Sequence, residues 1–467
     1  MGFYNYNRAF ENNTALIDEN GRHYTYREIS GLGRQILEKV GERQVLLLLC
    51  DNSVEAVTVY ISALQKGVVP LMVNAAMQKD LLLTIFHEYR PAYIFMKETD
   101  RNPFEQCHCI HRIAGYALFK ADIIIDYPIH ENLALLLTTS GSTGSPKLVR
   151  QSYYNIQSNA CSIAEYLDIR ETDTAVTTLP LNYTYGLSII NSHLQKGAAV
   201  VITERNFFDR EFWELCRRNH VTNFGGVPYS YDILLTIGFE EIPIPSLRYI
   251  TQAGGKLHED KVRKIANICK RKQIKFIIMY GQTEATARMS YLPWEQVHRK
   301  SASIGIAIPD GRFILEDEKG NEIINTDQTG ELVYYGPNVT LGYAENYYDL
   351  RKGDEFHGIL HTGDLATRDK EGYYYIVGRK KRFIKLFGNR INLDETEQLL
   401  FKNNYSCVCG GTDDCLIIYT DQPGKNHEIL DYISKVTGFH KNAFLVKEIK
   451  EIPHTQSGKV DYSALPS

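Results

Sequence analysis

The stretch Leu133-Ala-Leu-Leu-Leu137, followed by Thr138-Thr-Ser-Gly-Ser-Thr-Gly-Ser145 and Pro146-Lys147, is the most informative part of this chain. The apolar run predicts a buried strand, because a short apolar segment bounded by turn residues is typical of a core strand. The next eight residues are all Thr, Ser or Gly, so they offer hydroxyls and accessible backbone N–H groups to an anion. The segment is not a Walker A loop, and a flexible Ser/Gly linker would lack the preceding strand and the terminal Pro-Lys. The stretch therefore predicts a phosphate-binding loop at the end of a buried strand.

Segments typical of strands and of helices alternate on both sides of this loop. Predicted strands cover residues 45–50, 68–73, 92–96, 249–251 and 276–279. Helices are predicted over 53–66, with Ser53 as the N-cap, and over 258–270. Alternation of this kind predicts an α/β fold with a largely parallel sheet.

The pattern changes after about residue 300, where short strands and Gly turns predominate. Strands are predicted over 313–316, 331–335 and 373–377, which indicates a β-rich subdomain. The basic junction Gly378-Arg-Lys-Lys-Arg382 is a candidate hinge, and it divides a large domain, 1–380, from a small α+β domain, 381–467. The first helix of the small domain is predicted to open with a capping box formed by Asp394 and Glu397.

Composition narrows the functional class. The chain has 467 residues, 43% of them hydrophobic, and a net charge of −4 from 52 basic and 56 acidic side chains. This balance gives no electrostatic reason to expect nucleic acid or an anionic membrane as partner. No apolar run approaches the ~20 residues that a membrane span requires, and the start does not resemble a secretory signal. The nine cysteines lack zinc-ligand spacing, which predicts free thiols in a cytoplasmic protein.

Four further short motifs accompany the loop. Tyr280-Gly-Gln-Thr-Glu284 follows a predicted strand, where a hydroxyl and a carboxylate suit a nucleotide and its Mg²⁺. His361-Thr-Gly-Asp364 is expected to place a carboxylate after a tight turn, where it can bind ribose hydroxyls, and Gly378-Arg379 adds a permanent cation. Pro453-His-Thr-Gln-Ser-Gly-Lys459 puts a lysine on a loop near the C-terminus. Each motif alone is usually a polar turn, but their order and spacing make a coherent set.

This set closely resembles the adenylate-forming superfamily, which comprises acyl-CoA synthetases, peptide-synthetase adenylation domains and beetle luciferases. The resemblance extends from Ala15-Leu-Ile-Asp18 and Thr25-Tyr26 to Lys459, essentially the whole chain. It implies a large N-terminal adenylation domain, over 1–380, that binds ATP and the acyl substrate. It also implies a small mobile C-terminal domain, over 381–467, that carries a catalytic lysine on a hinge.

The resemblance also implies roles for residues of the large domain. The loop would bind the β- and γ-phosphates of ATP through Thr139, Ser140, Gly141, Ser142, Thr143, Gly144 and Lys147. Gly254 and Gly255 would lie against adenine, with Tyr280 beside them. Thr283 would lie near the α-phosphate, and Glu284 would bind Mg²⁺.

Further roles follow for the later motifs. Asp364 would bind the ribose, supported by Arg379, and Lys381 falls at the hinge. Lys459 matches the catalytic lysine, and Lys385 belongs to a segment that lines the thiol tunnel. Two positions depart from the pattern: Leu148 stands where Gly is common after the loop lysine, and the hinge is more basic than usual.

The implied reaction has two half-reactions. A carboxylate attacks the α-phosphorus of ATP, giving an acyl-adenylate and pyrophosphate. Because both reactants are anions, positive charges near the phosphates stabilise the transition state. A thiol then takes the acyl group and AMP leaves. The expected partners are ATP, Mg²⁺, a small carboxylic acid, and either CoA or the phosphopantetheine of a carrier protein.

The acyl pocket is expected to be neutral and polar. By family position its candidate lining residues are Asn182, Tyr183, Tyr185, Tyr229 and Thr251. Residues 174–203 contain no Asp or Glu, so the ammonium of an α-amino acid would be buried unpaired, which costs several kcal/mol by order of magnitude. An amino-acid–carrier ligase is therefore the less favoured alternative. A degenerate regulatory protein is a further one, although Glu284, Asp364 and Lys459 are all present.

Overall fold

The computed structural model describes residues 2–5, 8–98, 103–138, 147–380, 382–386, 389–412, 415–437, 439–455 and 459–466. The chain forms two compact units. Unit 1 comprises Met1–Ser301, Ala307–Arg312 and Tyr335–Leu360. Unit 2 comprises Ala302–Ile306, Phe313–Tyr334 and His361–Ser467.

The helices begin and end as follows in chain order. They are α1 Tyr26–Ile36, α2 Val54–Lys66, α3 Lys79–Tyr89, α4 Tyr153–Tyr166, α5 Thr184–Gln195, α6 Arg210–Arg218, α7 Pro228–Thr236, α8 Glu259–Lys272, α9 Leu393–Lys402 and α10 Asn426–Thr437. The predicted helices over 53–66 and 258–270 are confirmed as α2 and α8. The Ser53 side chain accepts from the backbone N–H of Ala56, which caps α2 as its position in the sequence predicts.

The strands of the first half are β1 Thr14–Ile17, β2 His23–Thr25, β3 Val45–Cys50, β4 Val69–Asn74, β5 Tyr93–Lys97, β6 Cys107–Ile113, β7 Tyr116–Ala121, β8 Leu133–Thr138, β9 Leu148–Ser152, β10 Thr174–Val176, β11 Ala199–Val201, β12 Asn223–Gly226 and β13 Tyr249–Gln252. Those of the second half are β14 Lys275–Tyr280, β15 Ser290–Leu292, β16 Ile306–Ala307, β17 Arg312–Glu316, β18 Gly330–Tyr335, β19 Tyr343–Ala344, β20 Ile359–Arg368, β21 Tyr374–Arg379, β22 Phe383–Leu386, β23 Asn389–Asn392, β24 Cys407–Thr412, β25 Cys415–Thr420 and β26 Phe444–Glu448. Every strand predicted from the sequence is present.

Unit 1 is built on two large sheets. One runs in the order β16-β15-β14-β13-β12-β10-β11-β1-β2, and the other in the order β19-β9-β8-β4-β3-β5-β7-β6. The central pairs of both sheets are parallel, including β12 with β13, β13 with β14, and β3 with β4. The α/β fold class with a largely parallel sheet is thereby confirmed.

Strand β3 shows why the central strands are continuous apolar runs. Leu46, Leu48 and Cys50 belong to one hydrophobic core, whereas Val45, Leu47 and Leu49 belong to another. A strand that is covered on both faces must be apolar at every position, because successive side chains point to opposite sides. Strand β8 also contributes to both cores, with Leu135 and Leu137 in the first and Leu133 and Leu136 in the second, and it ends where the predicted phosphate loop begins.

Unit 2 contains the β-rich region. A four-stranded sheet has the order β17-β18-β20-β21, and a three-stranded sheet has the order β24-β25-β26. The predicted tight turn before Asp364 is wrong, because His361, Thr362, Gly363 and Asp364 all lie inside β20. Gly363 has φ +70°, which only glycine adopts without strain, so the strand bends there without ending.

The predicted capping box of α9 is also wrong. The helix begins at Leu393, so Asp394 and Glu397 lie within it. Both carboxylates instead pair with Arg382, which donates from Nη1 to Asp394 and from Nη2 to Glu397 Oε1 at 2.8 Å. A largely buried guanidinium without an acidic partner is strongly destabilising. An uncapped helix end costs less, because its exposed N–H groups can bond water.

Two features of the composition also have structural outcomes. The nine cysteines are all unpaired, as their spacing predicts. Within the described residues, no helix is both long enough and apolar enough to cross a lipid bilayer.

His193 of α5 makes the stability of unit 1 depend on pH. The ring is buried, Nδ1 lies 2.8 Å from the Ile189 carbonyl oxygen, and Nε2 lies 2.9 Å from Asn223 Nδ2. These partners suit a neutral ring that donates from Nδ1 and accepts at Nε2. Burial lowers the pKa of His193 to about 4 from an ordinary value of 6.5.

We expect this histidine to destabilise the protein as pH falls below about 6.5, because the unfolded state then binds a proton that the folded state excludes. Between pH 7 and pH 5 the loss is about 2 kcal/mol. Urea unfolding of His193→Gln should show a correspondingly weaker pH dependence than wild type. Equal pH dependence of the two proteins would contradict this assignment.

Candidate functional site

The predicted phosphate loop joins two antiparallel strands, β8 and β9, with Thr138 opposite Leu148. Residues 139–146 lie outside the described residues, and with them the predicted phosphate ligands Thr139, Ser140, Gly141, Ser142, Thr143 and Gly144. Leu148 is fully buried as the first residue of β9. This accounts for an apolar side chain directly after Lys147: the chain enters the core there.

Tyr343 links two of the predicted site residues. The Lys147 ammonium lies 3.7 Å from the centre of its ring, and its hydroxyl donates to Glu284 Oε1 at 2.9 Å. Burial and the Glu284 carboxylate both raise the pKa of Tyr343, so the hydroxyl keeps its proton and remains a donor. A cation over the ring face and a carboxylate at the hydroxyl are both favourable contacts. The result is a fixed position for the lysine at the end of the loop and for the candidate metal ligand.

Arg150 of β9 holds the segment that carries Tyr343. The side chain is fully buried, and Nε donates to the Tyr343 carbonyl at 2.9 Å. Its Nη groups donate to the carbonyls of Leu341, Lys352 and Gly353, and Nη2 pairs with Glu355 at 2.6 Å. A guanidinium with this many acceptors can be buried because its donors are satisfied.

The segment with Thr283 and Glu284 begins directly after β14, as predicted, and continues as a 3-10 turn over Thr283–Ala285. The Glu284 carbonyl accepts from both the N–H and the hydroxyl of Thr340, each at 3.0 Å. Gly281 is required for close approach, because a Cβ there would lie 1.7 Å from the Ala287 carbonyl oxygen. These contacts fix the backbone that presents Glu284.

A strained turn follows at Thr286. This β-branched residue has φ +65° and ψ −58°, and the Ala287 N–H donates to the Ala285 carbonyl at 2.7 Å. The geometry is a γ-turn of the positive-φ type, which is rare and costs about 1–3 kcal/mol. The Thr286 hydroxyl donates to the Asn338 carbonyl at 2.7 Å, which helps to hold the turn. Strain of this kind is typical of functional sites.

The predicted adenine segment lies next to the predicted acyl pocket. Gly254 has φ +83°, and a Cβ there would lie 2.5 Å from the Tyr183 hydroxyl oxygen. Gly255 is held by Gln252, whose amide donates to its carbonyl at 2.8 Å. Tyr280 ends β14, and its hydroxyl accepts from Gln282 at 3.2 Å. The glycine at 254 thus leaves a cradle that any larger residue would fill.

The candidate acyl residues divide into three kinds. Tyr185 is buried, and its hydroxyl lies 2.9 Å from the Thr251 carbonyl oxygen and 2.8 Å from the Thr251 hydroxyl. Asn182 is partly buried, and its Oδ1 has no hydrogen-bond partner among the described residues. Tyr229 is 55% exposed, so the structure does not bring its ring into the buried group.

Unit 2 contains the predicted ribose site. Asp364 of β20 lies directly opposite Arg379 of β21, and Arg379 Nε is 3.1 Å from Asp364 Oδ1. The Asp364 side chain is 4% exposed and that of Arg379 is 62% exposed. The structure therefore brings the two residues together, and their role at the ribose stays a prediction.

The remaining predicted residues are less fully described. Lys381 lies outside the described residues, and Lys385 is placed by its backbone alone, opposite Arg390 in the hairpin of β22 and β23. The Lys459 backbone pairs with Thr455: the Lys459 N–H donates to the Thr455 hydroxyl at 3.2 Å, and the Lys459 carbonyl accepts from the Thr455 N–H at 2.7 Å.

Two residues of this region are absent from the sequence-based prediction. Tyr343 lies in an ordinary Leu-Gly-Tyr sequence, and Arg288 follows Glu284 by only four residues. Arg288 is buried against Tyr185, with its guanidinium carbon 5.0 Å from the ring centre. Neither residue has a local sequence signal that marks it as functional.

The residues present fit ATP and Mg²⁺. Glu284 uses Oε1 for Tyr343, and Oε2 makes no hydrogen bond to a described residue, which leaves an oxygen for a metal ion. Among the described residues, no three His, Cys, Asp or Glu side chains form a metal-binding group. One carboxylate with substrate phosphates is the usual protein environment of Mg²⁺, whereas a cage of protein ligands is not.

The fold is of the α/β class, and the residues described above are of the kinds that bind a nucleotide and Mg²⁺. The sequence pattern of the AMP-binding enzyme family matches residues 3–344. The chain therefore belongs to this family.

Among its curated relatives, the oxalate–CoA ligase of Arabidopsis thaliana is 33% identical over 287 residues, which are 60% of this chain and 54% of that protein. The chain thus matches about half the length of that relative. A 2-succinylbenzoate–CoA ligase of Bacillus cereus is 27% identical over 380 residues, 79% of this chain and 76% of that protein.

Solved structures show the same fold. The o-succinylbenzoate CoA synthetase of Bacillus subtilis, in complex with its acyl-adenylate intermediate, superposes with a TM-score of 0.77 at 23% identity, covering 97% of this chain and 95% of that chain. ATP-bound MatB of Rhodopseudomonas palustris superposes with a TM-score of 0.76 at 20% identity, covering 99% of this chain and 98% of that chain.

We expect Tyr343→Phe to lower kcat/KM for ATP–pyrophosphate exchange by about tenfold or more, because it removes a hydrogen bond to a charged group worth about 1.5–3 kcal/mol. The ring that contacts Lys147 is retained, so the Mg²⁺ concentration for half-maximal rate should rise more than the KM for ATP. Tyr348→Phe, at a 60% exposed position nearby, is the matched control. An unchanged Mg²⁺ dependence in Tyr343→Phe would contradict the assigned link to Glu284.

Proposed function

We propose that the protein is an AMP-forming acid–CoA ligase. The observation that carries this proposal is the Tyr343 link, which fixes a cation at the exit of the phosphate loop and a carboxylate with an available oxygen in one unit. Family membership and the names of the two curated relatives support the same activity. The substrates are ATP, a small carboxylic acid and CoA.

In the first half-reaction the acid attacks the α-phosphorus of ATP and pyrophosphate leaves. Glu284 would hold Mg²⁺, which supplies positive charge to the phosphates. Lys147 with the preceding loop holds the β- and γ-phosphates, and Asp364 with Arg379 binds the ribose. Lys459 neutralises the carboxylate and the α-phosphate as they meet, since preorganised charge lowers the barrier between two anions. In the second half-reaction the CoA thiol attacks the acyl carbonyl and AMP leaves.

The hinge at Lys381 remains a proposal, and its neighbours support it. Lys380 pairs with Glu331 of β18 at 2.6 Å, which fastens it to the four-stranded sheet. Arg382 is fastened instead to α9 through Asp394 and Glu397, and its guanidinium carbon lies 3.8 Å from the centre of the Tyr462 ring. The two flanking residues are thus anchored to different elements, which supports the proposal that a rotation between the domains 1–380 and 381–467 would take place at this junction.

Two alternatives are less well supported. An amino-acid–carrier ligase would need an acid near the substrate ammonium, and the buried group at Tyr185 contains the cation Arg288. A degenerate regulatory protein would not need to keep Glu284, Asp364 and Lys459. The unpaired cysteines suit the reducing cytoplasm, where we place the protein.

We expect carboxylate-dependent ATP–pyrophosphate exchange from the full chain, with a loss of at least about 100-fold in Lys459→Ala, because one preorganised charge at a phosphoryl-transfer site is typically worth that much. Lys435→Ala, an exposed lysine of α10, is the matched control and should exchange at the wild-type rate. Full exchange by Lys459→Ala would overturn the role given to this lysine.

We expect a CoA thioester and AMP to form in equal amounts once CoA is added with the preferred acid. The measurement is mass spectrometry of the thioester with chromatography of the nucleotides. Transfer only to the phosphopantetheine of a carrier protein, with CoA inert, would contradict the choice of acceptor while leaving the adenylation step intact.

A further inference from the structure

Arg288 is a buried cation without an acidic partner among the described residues. It is 2% exposed, and Nε donates to Ser188 Oγ at 3.1 Å. Nη1 lies 3.2 Å from the Tyr166 hydroxyl oxygen and 3.2 Å from Met279 Sδ. These partners and the Tyr185 ring are all neutral, so they do not balance the charge. Burial of an uncompensated charge carries a large desolvation penalty.

Arg150 shows how the same chain buries a guanidinium for structural purposes. Its Nη2 pairs with Glu355, and four backbone carbonyls take its other donors. Nη2 of Arg288, in contrast, makes no hydrogen bond to any residue that the structure describes. Arg288 therefore has N–H donors without a hydrogen-bond acceptor among the described residues. This is unusual for a buried guanidinium with a purely structural role.

The backbone at Arg288 is held firmly. Its carbonyl accepts from Asn159 Nδ2 at 2.9 Å and from Asn338 Nδ2 at 3.1 Å, and both asparagines are buried. The strained γ-turn at Thr286 lies two residues before it. These hydrogen bonds and the strained turn fix the backbone at Arg288 and so restrict the direction of its side chain. Such preorganisation is typical of binding sites.

Among the described residues, none that hydrogen-bonds to the Arg288 side chain or lines the cavity beside it is an acid. Ser188 and Ala287 also line a small cavity whose other polar lining residues are Gln151, Asn159, Thr184, Asn191 and Thr286. Asn159 is 1% exposed, and its Oδ1 has no partner among the described residues. A guanidinium whose own contacts are two hydroxyls, a thioether and an aromatic ring favours an anion as its further partner. Tyr185, in contact with Arg288, belongs to the candidate acyl pocket.

We propose that Arg288 binds a second carboxylate of the acyl substrate, so that the acid activated by this enzyme is a dicarboxylic acid. This inference rests on the proposed ligase function and names its substrate class. A distal carboxylate pairs with the guanidinium and removes the unbalanced charge. A monocarboxylic acid with an alkyl end leaves Arg288 unpaired, and the ammonium of an amino acid would be repelled by it. Sites built for a charged or hydrogen-bonding group reject analogues that lack it by large factors.

The test compares matched acids in ATP–pyrophosphate exchange with the full chain. Each dicarboxylic acid is paired with a monocarboxylic acid of the same carbon number: oxalate with acetate, succinate with butyrate, glutarate with valerate. Phthalate with 2-methylbenzoate forms the aromatic pair. We expect at least one dicarboxylic acid to exceed its partner in kcat/KM by about 100-fold or more. Exchange with monocarboxylic acids in preference to every matched dicarboxylic acid would overturn the inference and leave the ligase function standing.

Arg288→Met removes the charge and keeps the length of the side chain. We expect it to reduce the dicarboxylate-to-monocarboxylate ratio by at least tenfold, mainly through a higher KM for the dicarboxylate, and we expect Arg288→Lys to retain part of the preference. Arg263→Met, at a position where the side chain is 54% exposed, is the matched control and should keep the wild-type ratio.

A uniform fall in rate for both members of a pair, with an unchanged ratio, would show a structural role and overturn the inference. Thermal unfolding and ATP binding show whether Arg288→Met is folded. If it is not, the dicarboxylate-to-monocarboxylate ratios of wild type and of Arg288→Lys test the inference. No exchange with any acid, in protein that binds ATP, would mean that the ligase function itself fails, and the inference fails with it.

Discussion

The buried guanidinium of Arg150 is the constraint on which the rest of the site depends. It ties β9, the strand that leaves the phosphate loop, to the segment around Tyr343 through carbonyls of Leu341 and Tyr343. Hydrogen bonds from a charged donor contribute about 1.5–3 kcal/mol each, so this junction resists separation. Because Tyr343 touches both Lys147 and Glu284, fixing its backbone fixes the distance between the end of the loop and the carboxylate. The proposed phosphate and metal ligands are thus positioned by Arg150, to which the proposal gives no role in binding substrate.

Much of the fold could be predicted from the sequence because it depends on local patterns. The apolar runs of β3 and β8 follow from burial on both faces, and the Ser53 cap follows from the first turn of α2. The wrong predictions have a different origin. Asp394 and Glu397 have the spacing of a capping box, but both carboxylates bind Arg382, which lies 12 and 15 residues away in the chain. Tyr343 and Arg288 could not be predicted because their roles depend on partners more than 50 residues distant. Local signals indicate elements, whereas tertiary contacts decide which side chains meet.

The cations of the proposed binding residues serve two different purposes. Lys147 and Arg379 belong to the residues assigned to the nucleotide, and Arg288 is a cation beside Tyr185. Lys147 is proposed to contact the phosphates, and Arg379 to support the carboxylate that is proposed to bind ribose, so both would serve ATP. Arg288 contacts Tyr185, a residue of the proposed acyl pocket, so under the proposal it bears on selectivity for the acid and not on the phosphoryl chemistry. The proposal thus assigns separate cations to the nucleotide and to the acid.

The most direct test of the reaction is the fate of oxygen from the acid. The preferred acid is labelled with ¹⁸O in its carboxylates and incubated with the enzyme, ATP and CoA, and the phosphorus products are analysed by mass spectrometry. Attack on the α-phosphorus leaves one labelled oxygen in AMP, together with unlabelled pyrophosphate. Label in inorganic phosphate, with ADP as the nucleotide product, would show an acyl phosphate intermediate and contradict the adenylate mechanism.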